Sequence, residues 1–203
     1  MSRDAASRPA RERLLDAAGE LFYESGIAAT GVDAVLARAR VSPATLYAHF
    51  SGKDGLVAAN LERRFRQWRD VWDEVLDERT DPVDRLLSVF DAVVRYRAVE
   101  GNRRGCAFLA AAVELPPGHP GRQWLAADSR LLTERLHDLA EAAGAGDPTG
   151  IADGLLALYD GALARLARQA ATPGLDTGDP LHRARRMAAD WLAGRVPPGR
   201  PSG

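Results

Sequence analysis

The chain has 203 residues, 46% hydrophobic and 27% charged, which are the proportions of a water-soluble globular protein of one or two domains. Its formal charge of −1 sets it apart from polycations that hold nucleic acid nonspecifically, while leaving room for a small basic surface. The opening residues lack a signal-peptide core, the longest apolar run (Cys106 to Val113) is far too short to span a membrane, and the single cysteine makes no internal disulfide. A cytoplasmic protein without a membrane partner is expected.

Helical signals run from end to end, and no stretch alternates apolar and polar residues with β-branched enrichment. Leu14, Leu15, Ala18, Leu21 and Phe22 recur at helical spacing, and Gly26 follows as a stop. Thr30 is placed to cap a short second helix, and Ser42-Pro43 is a cap with proline at the first helical position, where no donor is lost. Asp81-Pro82, Asp147-Pro148 and Asp179-Pro180 repeat that device. An all-α fold of about nine helices follows, at roughly 10–25, 31–38, 43–50, 53–78, 82–99, 105–114, 121–143, 148–171 and 180–193. The expected division is an arm and three-helix domain over 1–52, a larger helical domain over 53–194, and a disordered tail over 195–203.

Residues 31–50 hold two short helices joined by a tight turn, with helix 1 packing across them. Leu46 and Phe50, four apart, are expected to face that core. The other positions of helix 3 are small or hydrogen-bonding: Pro43, Ala44, Thr45, Tyr47, Ala48 and His49. Close approach to a major groove needs such residues, but a plain three-helix bundle with an ordinary surface fits the spacing equally well.

Residues 31–56, GVDAVLARARVSPATLYAHFSGKDGL, resemble the signature of the TetR family of bacterial regulators: Val41 and Ser42, the run from Thr45 to Phe50, and Lys53. The upstream Leu21-Phe22 and residues 26–30 match the family's first helix and its loop, and the length agrees. The resemblance implies an N-terminal helix-turn-helix that binds double-stranded operator DNA. It implies DNA-proximal roles for Ser42, Pro43, Ala44, Thr45, Tyr47, His49 and Lys53, with Lys53 on phosphate. Thr30 is implied either to touch phosphate or to serve only as a cap. Ala44 stands where the family often has glycine, and Gly52 where a better helix cap is common. Helix 3 has no arginine, asparagine or glutamine for a bidentate base contact. Specificity is therefore expected from thymine methyls, water, DNA shape, or Arg38 and Arg40. Arg3, Arg8 and Arg11 either add contacts from the arm or belong to a solvated tail.

The C-terminal part resembles the family's sensor and dimer region. The resemblance implies an effector cavity, with Phe90, Tyr96, Phe108, Trp124 and Tyr159 as candidate walls, although aromatics at helical spacing also serve as plain core. Few charged residues sit among those positions, so a small, largely apolar effector is expected. A homodimer is expected through Leu155, Leu158, Tyr159, Ala162, Leu166, Ala184, Ala188 and Trp191, with Gly154 and Gly161 permitting close approach. Cys106 reads as a buried small hydrophobe or as a redox thiol. No catalytic motif appears, and His49, His119, His137 and His182 lack ligand-pair spacing, so no enzyme activity, cofactor or metal is expected. The function expected is a repressor released from a palindromic operator by its effector. The alternatives are an activator of the same architecture, or a helical binding protein or enzyme that keeps the fold.

Overall fold

The computed structural model describes residues 8–100, 105–172, 174 and 178–197. Nine helices and no strand occur among them: α1 (Ala10–Ser25), α2 (Val32–Ala39), α3 (Pro43–His49), α4 (Gly52–Asp77), α5 (Pro82–Glu100), α6 (Ala107–Glu114), α7 (Arg122–Ala142), α8 (Pro148–Ala171) and α9 (Pro180–Leu192). The all-α expectation holds, and every boundary falls within about two residues of its expected place.

The Asp-Pro starts explain that agreement. Asp81 accepts from the amides of Val83 and Asp84 at 2.9 and 3.0 Å, Asp147 from Gly150 at 2.9 Å, and Asp179 from Leu181 at 2.9 Å. Each carboxylate satisfies donors that have no partner inside the helix, and it also meets the positive end of the helix dipole.

The chain forms two compact units. Among the described residues, one takes in those up to Phe65 together with Ala107–Ala127; the other takes in those from Arg66 to Cys106 and from Asp128 onward. In the first unit, Leu14, Leu15, Ala18 and Phe22 of α1 are buried, as are Val35 and Leu36 of α2 and Leu46 of α3. The unit runs past residue 52 because the first half of α4 is tied to α1. Asn60 Nδ2 donates to Leu15 O at 3.3 Å, and Arg63 donates to Leu15 O at 2.8 Å and to Asp16 at 2.7 Å.

The second unit has one continuous core that includes Trp68, Trp72, Phe90, Tyr96, Leu136, Leu155, Tyr159 and Leu192. The Trp72 indole donates to Ser88 Oγ at 2.9 Å, and that hydroxyl donates to Arg85 O at 2.6 Å, so the buried polar atoms form a closed chain. Arg185 of α9 reaches α5, donating to Asp91 at 2.9 Å and to Asp84 at 3.3 Å. Val196 is buried in this core, so part of the expected tail is packed, while 198–203 lie outside the described residues. Positions 101–104 of the expected α5–α6 loop also lie outside them.

Asp128 of α7 is only 8% exposed. Burial, and secondarily the neighbouring Asp160, push its carboxyl up to about 7 from an ordinary 3.8. Between about pH 4 and 7 the folded chain therefore holds a proton that the unfolded chain releases. Stability from this group is present at low pH and is lost as pH rises towards 7. Asp128→Asn should flatten that slope and raise the melting temperature above pH 7 by roughly 5 °C or more, with the gap narrowing as pH falls from about 7 and closing near pH 4. Thermal melts of both proteins from pH 4.5 to 8.5 check this, and parallel curves would count against it.

Candidate nucleic-acid interface

α1 lies across α2 and α3, and the turn between those two is fixed from several sides. Arg40 closes α2 in the left-handed region at φ 54°, its amide donating to Ala37 O at 3.3 Å, and Val41 N donates to Leu36 O at 3.2 Å. Arg13 reaches in from α1 and donates to Ala39 O at 3.2 Å, placing a cation at the carbonyl end of α2. Ser42 then caps α3: its hydroxyl accepts from Thr45 N at 3.2 Å and lies 2.9 Å from Thr45 Oγ1. Pro43 follows at the first helical position.

α3 has two unlike sides. Leu46 is fully buried and Phe50 nearly so, as their spacing predicted. On the other side Ser42, Pro43, Ala44, Tyr47, Ala48 and His49 are exposed, Tyr47 to 67%, and Thr45 is half-buried. Gly52 turns the chain into α4 at φ 79°, a left-handed conformation that suits glycine, so the residue serves the turn rather than standing as a weak cap. Lys53 is half-buried, and its ammonium donates to Ala28 O at 3.4 Å.

Thr30 is placed differently from both sequence readings. Gly31 is the cap residue of α2, without a side-chain bond. Thr30 is 4% exposed, and its hydroxyl lies 2.7 Å from Gly26 O and 3.2 Å from Leu21 O. It closes the α1–α2 loop from inside, and its hydroxyl is turned away from solvent. Arg38 is paired with Glu20 at 2.6 Å, Arg8 is paired with Asp16 at 2.6 Å, and Arg11 lies over the Phe50 ring at 5.6 Å. Arg3 lies outside the described residues.

A short seven-residue helix with an exposed face of small, hydroxyl and ring side chains, set on a three-helix base, has the geometry of a helix-turn-helix. The model of the family described as bacterial regulatory proteins, tetR family, matches residues 14–59. The crystal structure of a TetR-family transcriptional regulator from Streptomyces coelicolor is 30% identical, covering 92% of this chain and 95% of that one, with a TM-score of 0.79. The chain belongs to the TetR family. The HTH-type transcriptional regulator YjdC of Escherichia coli is 29% identical over 90% of this chain and 93% of its own. The HTH-type transcriptional repressor KstR2 of Mycolicibacterium smegmatis is 33% identical over 103 residues, 49% of each chain. As a TetR-family protein the chain is a DNA-binding transcriptional regulator. No helix among its described residues is long and apolar enough to cross a membrane.

The residues read as cavity walls fall into both units. Phe90, Tyr96 and Tyr159 are buried in the second, where the Phe90 and Tyr159 rings lie 6.5 Å apart. Phe108 and Trp124 belong to the first, with Trp124 5.8 Å from Phe65. Sequence reasoning missed Trp68, which stacks on Trp72 at 5.4 Å and meets Tyr96 and Tyr159 at 5.9 and 6.4 Å. Its spacing of four from Trp72 was the available signal. Cys106 is half-buried against the same core.

The residues read as a dimer face divide as well. Leu155, Tyr159, Ala162, Ala184 and Ala188 turn into the chain's own core, because α8 and α9 pack on each other and α9 on α5. Gly154 is occupied too, since a side chain there would collide with the Trp191 ring. Leu158, Leu166 and Trp191 are half-buried. The outward surface carries an open groove of about 390 Å³ along α8 and α9, floored by Ala157, Leu158, Gly161 and Met187 and edged by Arg165 and Arg183.

The Ser42 cap gives a direct test of the site's local order. Ser42→Ala should cost ~1 kcal/mol and lower the melting temperature by roughly 2–4 °C, with faster amide exchange at Thr45. Unchanged exchange at Thr45 would mean that the cap does not hold α3.

Proposed function

We propose that the chain is a repressor that occupies a palindromic operator as a homodimer and leaves it when a small, largely apolar effector binds. The observation that carries the DNA half is the split of α3, buried at Leu46 and Phe50 and exposed along Ser42, Pro43, Ala44, Tyr47 and His49. Thr45 and Ala44 are the residues for base edges and thymine methyls; Tyr47, His49 and Lys53 are those for the backbone. The name of the mycobacterial relative supports repression.

Dimerisation is supported by the groove on α8 and α9, where Met187 is 53% exposed and Gly161 leaves open space for a close approach. Leu158, Leu166 and Trp191 flank that approach. A twofold pair would set two recognition helices ~34 Å apart, one turn of the duplex. Effector binding is supported by the aromatic cluster of the second unit. The division of labour is a DNA-binding head and a helical sensor, with no enzymatic step, cofactor or metal, working in the cytoplasm where the operator lies.

Fluorescence anisotropy with the intergenic DNA beside the gene tests the reading. Lys53→Ala should weaken binding to every duplex and reduce the slope of log affinity against log salt by about one. Thr45→Ala should lose preference for the operator over scrambled DNA. A wild-type protein that prefers no site in that DNA would sink the proposal, and a monomer in light scattering at micromolar concentration would remove its dimer.

A ligand found by thermal-shift screening should weaken operator binding about 5- to 150-fold, and operator should weaken ligand binding by the same factor. A ligand that binds without changing operator affinity would end the sensor half alone.

A further inference from the structure

The α1–α2 loop is held by a residue that lies far along the chain. Glu114, the last residue of α6, accepts from the backbone amide of Ala28 through Oε2 at 2.7 Å. The neighbouring Gly26 makes room for it. A Cβ there would lie 3.2 Å from Oε1 and 3.3 Å from Oε2, and φ is 89°. The carbonyl of the same Ala28 receives the Lys53 ammonium at 3.4 Å. One peptide unit on each side of Ala28 thus links Glu114 to Lys53 through the loop.

The turn after α6 makes a second contact nearby. His119 Nδ1 accepts from Gly121 N at 2.9 Å, which leaves the ring proton on Nε2, 3.4 Å from Asp54 Oδ1. Asp54 follows Lys53 directly. The segment from α6 onward therefore holds the DNA-facing end of the first unit on both sides of Lys53.

We infer that Glu114 is a positioning residue for DNA binding, its carboxylate fixing the Ala28 loop in the shape that sets Lys53 for phosphate. Its charge opposes that role. An anion beside a phosphate-facing lysine repels the duplex, so a contribution through charge alone would have the opposite sign. What remains is reach: a hydrogen bond to an ionised acceptor is a stronger restraint than one between neutral groups, and this one acts on the residue whose carbonyl meets Lys53.

The test separates reach from charge. Glu114→Asp keeps the charge and withdraws the oxygens by one methylene; Glu114→Gln keeps the reach and removes the charge. Both are compared with wild type by anisotropy on operator and scrambled duplexes, with thermal melts alongside and amide exchange read at Ala28. The Asp variant should bind operator and scrambled DNA alike roughly five- to ten-fold more weakly, keep the wild-type melting temperature, and exchange faster at Ala28. The Gln variant should stay within about three-fold of wild type on operator. An Asp variant with wild-type operator affinity overturns the inference, and so does a loss accompanied by a lowered melting temperature, which would mark general loosening of the fold. The inference rests on the DNA face proposed above. A wild type that cannot distinguish operator from scrambled DNA fails that face, and Ala28 exchange still reads the restraint itself.

Discussion

A seven-residue helix does not hold itself together in water, because nucleation costs more than two turns of hydrogen bonds return. α3 exists because Leu46 is fully buried beneath it and Phe50 closes its far end. The exposed face of α3 is thus the reverse side of a packing contact with α1. The same α1 receives α2 along its length, and Asn60 and Arg63 of α4 at the Leu15 carbonyl and Asp16. Disturbing α1 would disturb every element around the turn at once, whereas an exposed substitution on α3 leaves the base intact. Such separation lets the face of α3 vary while its support stays constant.

The element boundaries were legible in the sequence because this chain marks them chemically. A serine or aspartate followed by proline states where a helix begins, and the carboxylates of Asp81, Asp147 and Asp179 do accept the amides that the pattern assigns to them. The inward pair Leu46 and Phe50 was legible for a similar reason, since spacing alone fixes which residues share a side. Periodicity says nothing, however, about what covers a stripe. Leu155, Tyr159 and Ala162 form a sound apolar row on α8, and the chain covers it from within, with its own α9 packed on α8, rather than leaving it outward. Thr30 shows a related limit. A threonine before a helix reads as a cap, yet the glycine after it takes that place and frees the hydroxyl to bond backward into the loop. The bond from Glu114 to Ala28 spans 86 positions, and no local pattern announces it.

The second unit carries its polar groups in two contrasting ways. Arg185 reaches two carboxylates on α5, and Trp72 has an acceptor in Ser88, so these groups leave water with partners in hand. Asp128 is buried without such compensation, and its raised affinity for a proton is the physical record of that cost. A buried carboxyl that shares a proton with solvent near neutral pH makes this unit less stable than its packing alone would make it.

Lys53 is the only lysine in the sequence, so the chain has a single ε-amine. That amine sits half-buried against the Ala28 carbonyl, at the start of α4. Amine-directed reagents, which on most proteins scatter over many lysines, would here report on one position apart from the chain's α-amino group. Reductive methylation with labelled formaldehyde would install one spectroscopic probe at the junction of loop and helix without altering its charge. The protein's arginine-rich composition has, in effect, left one chemical address at the start of α4.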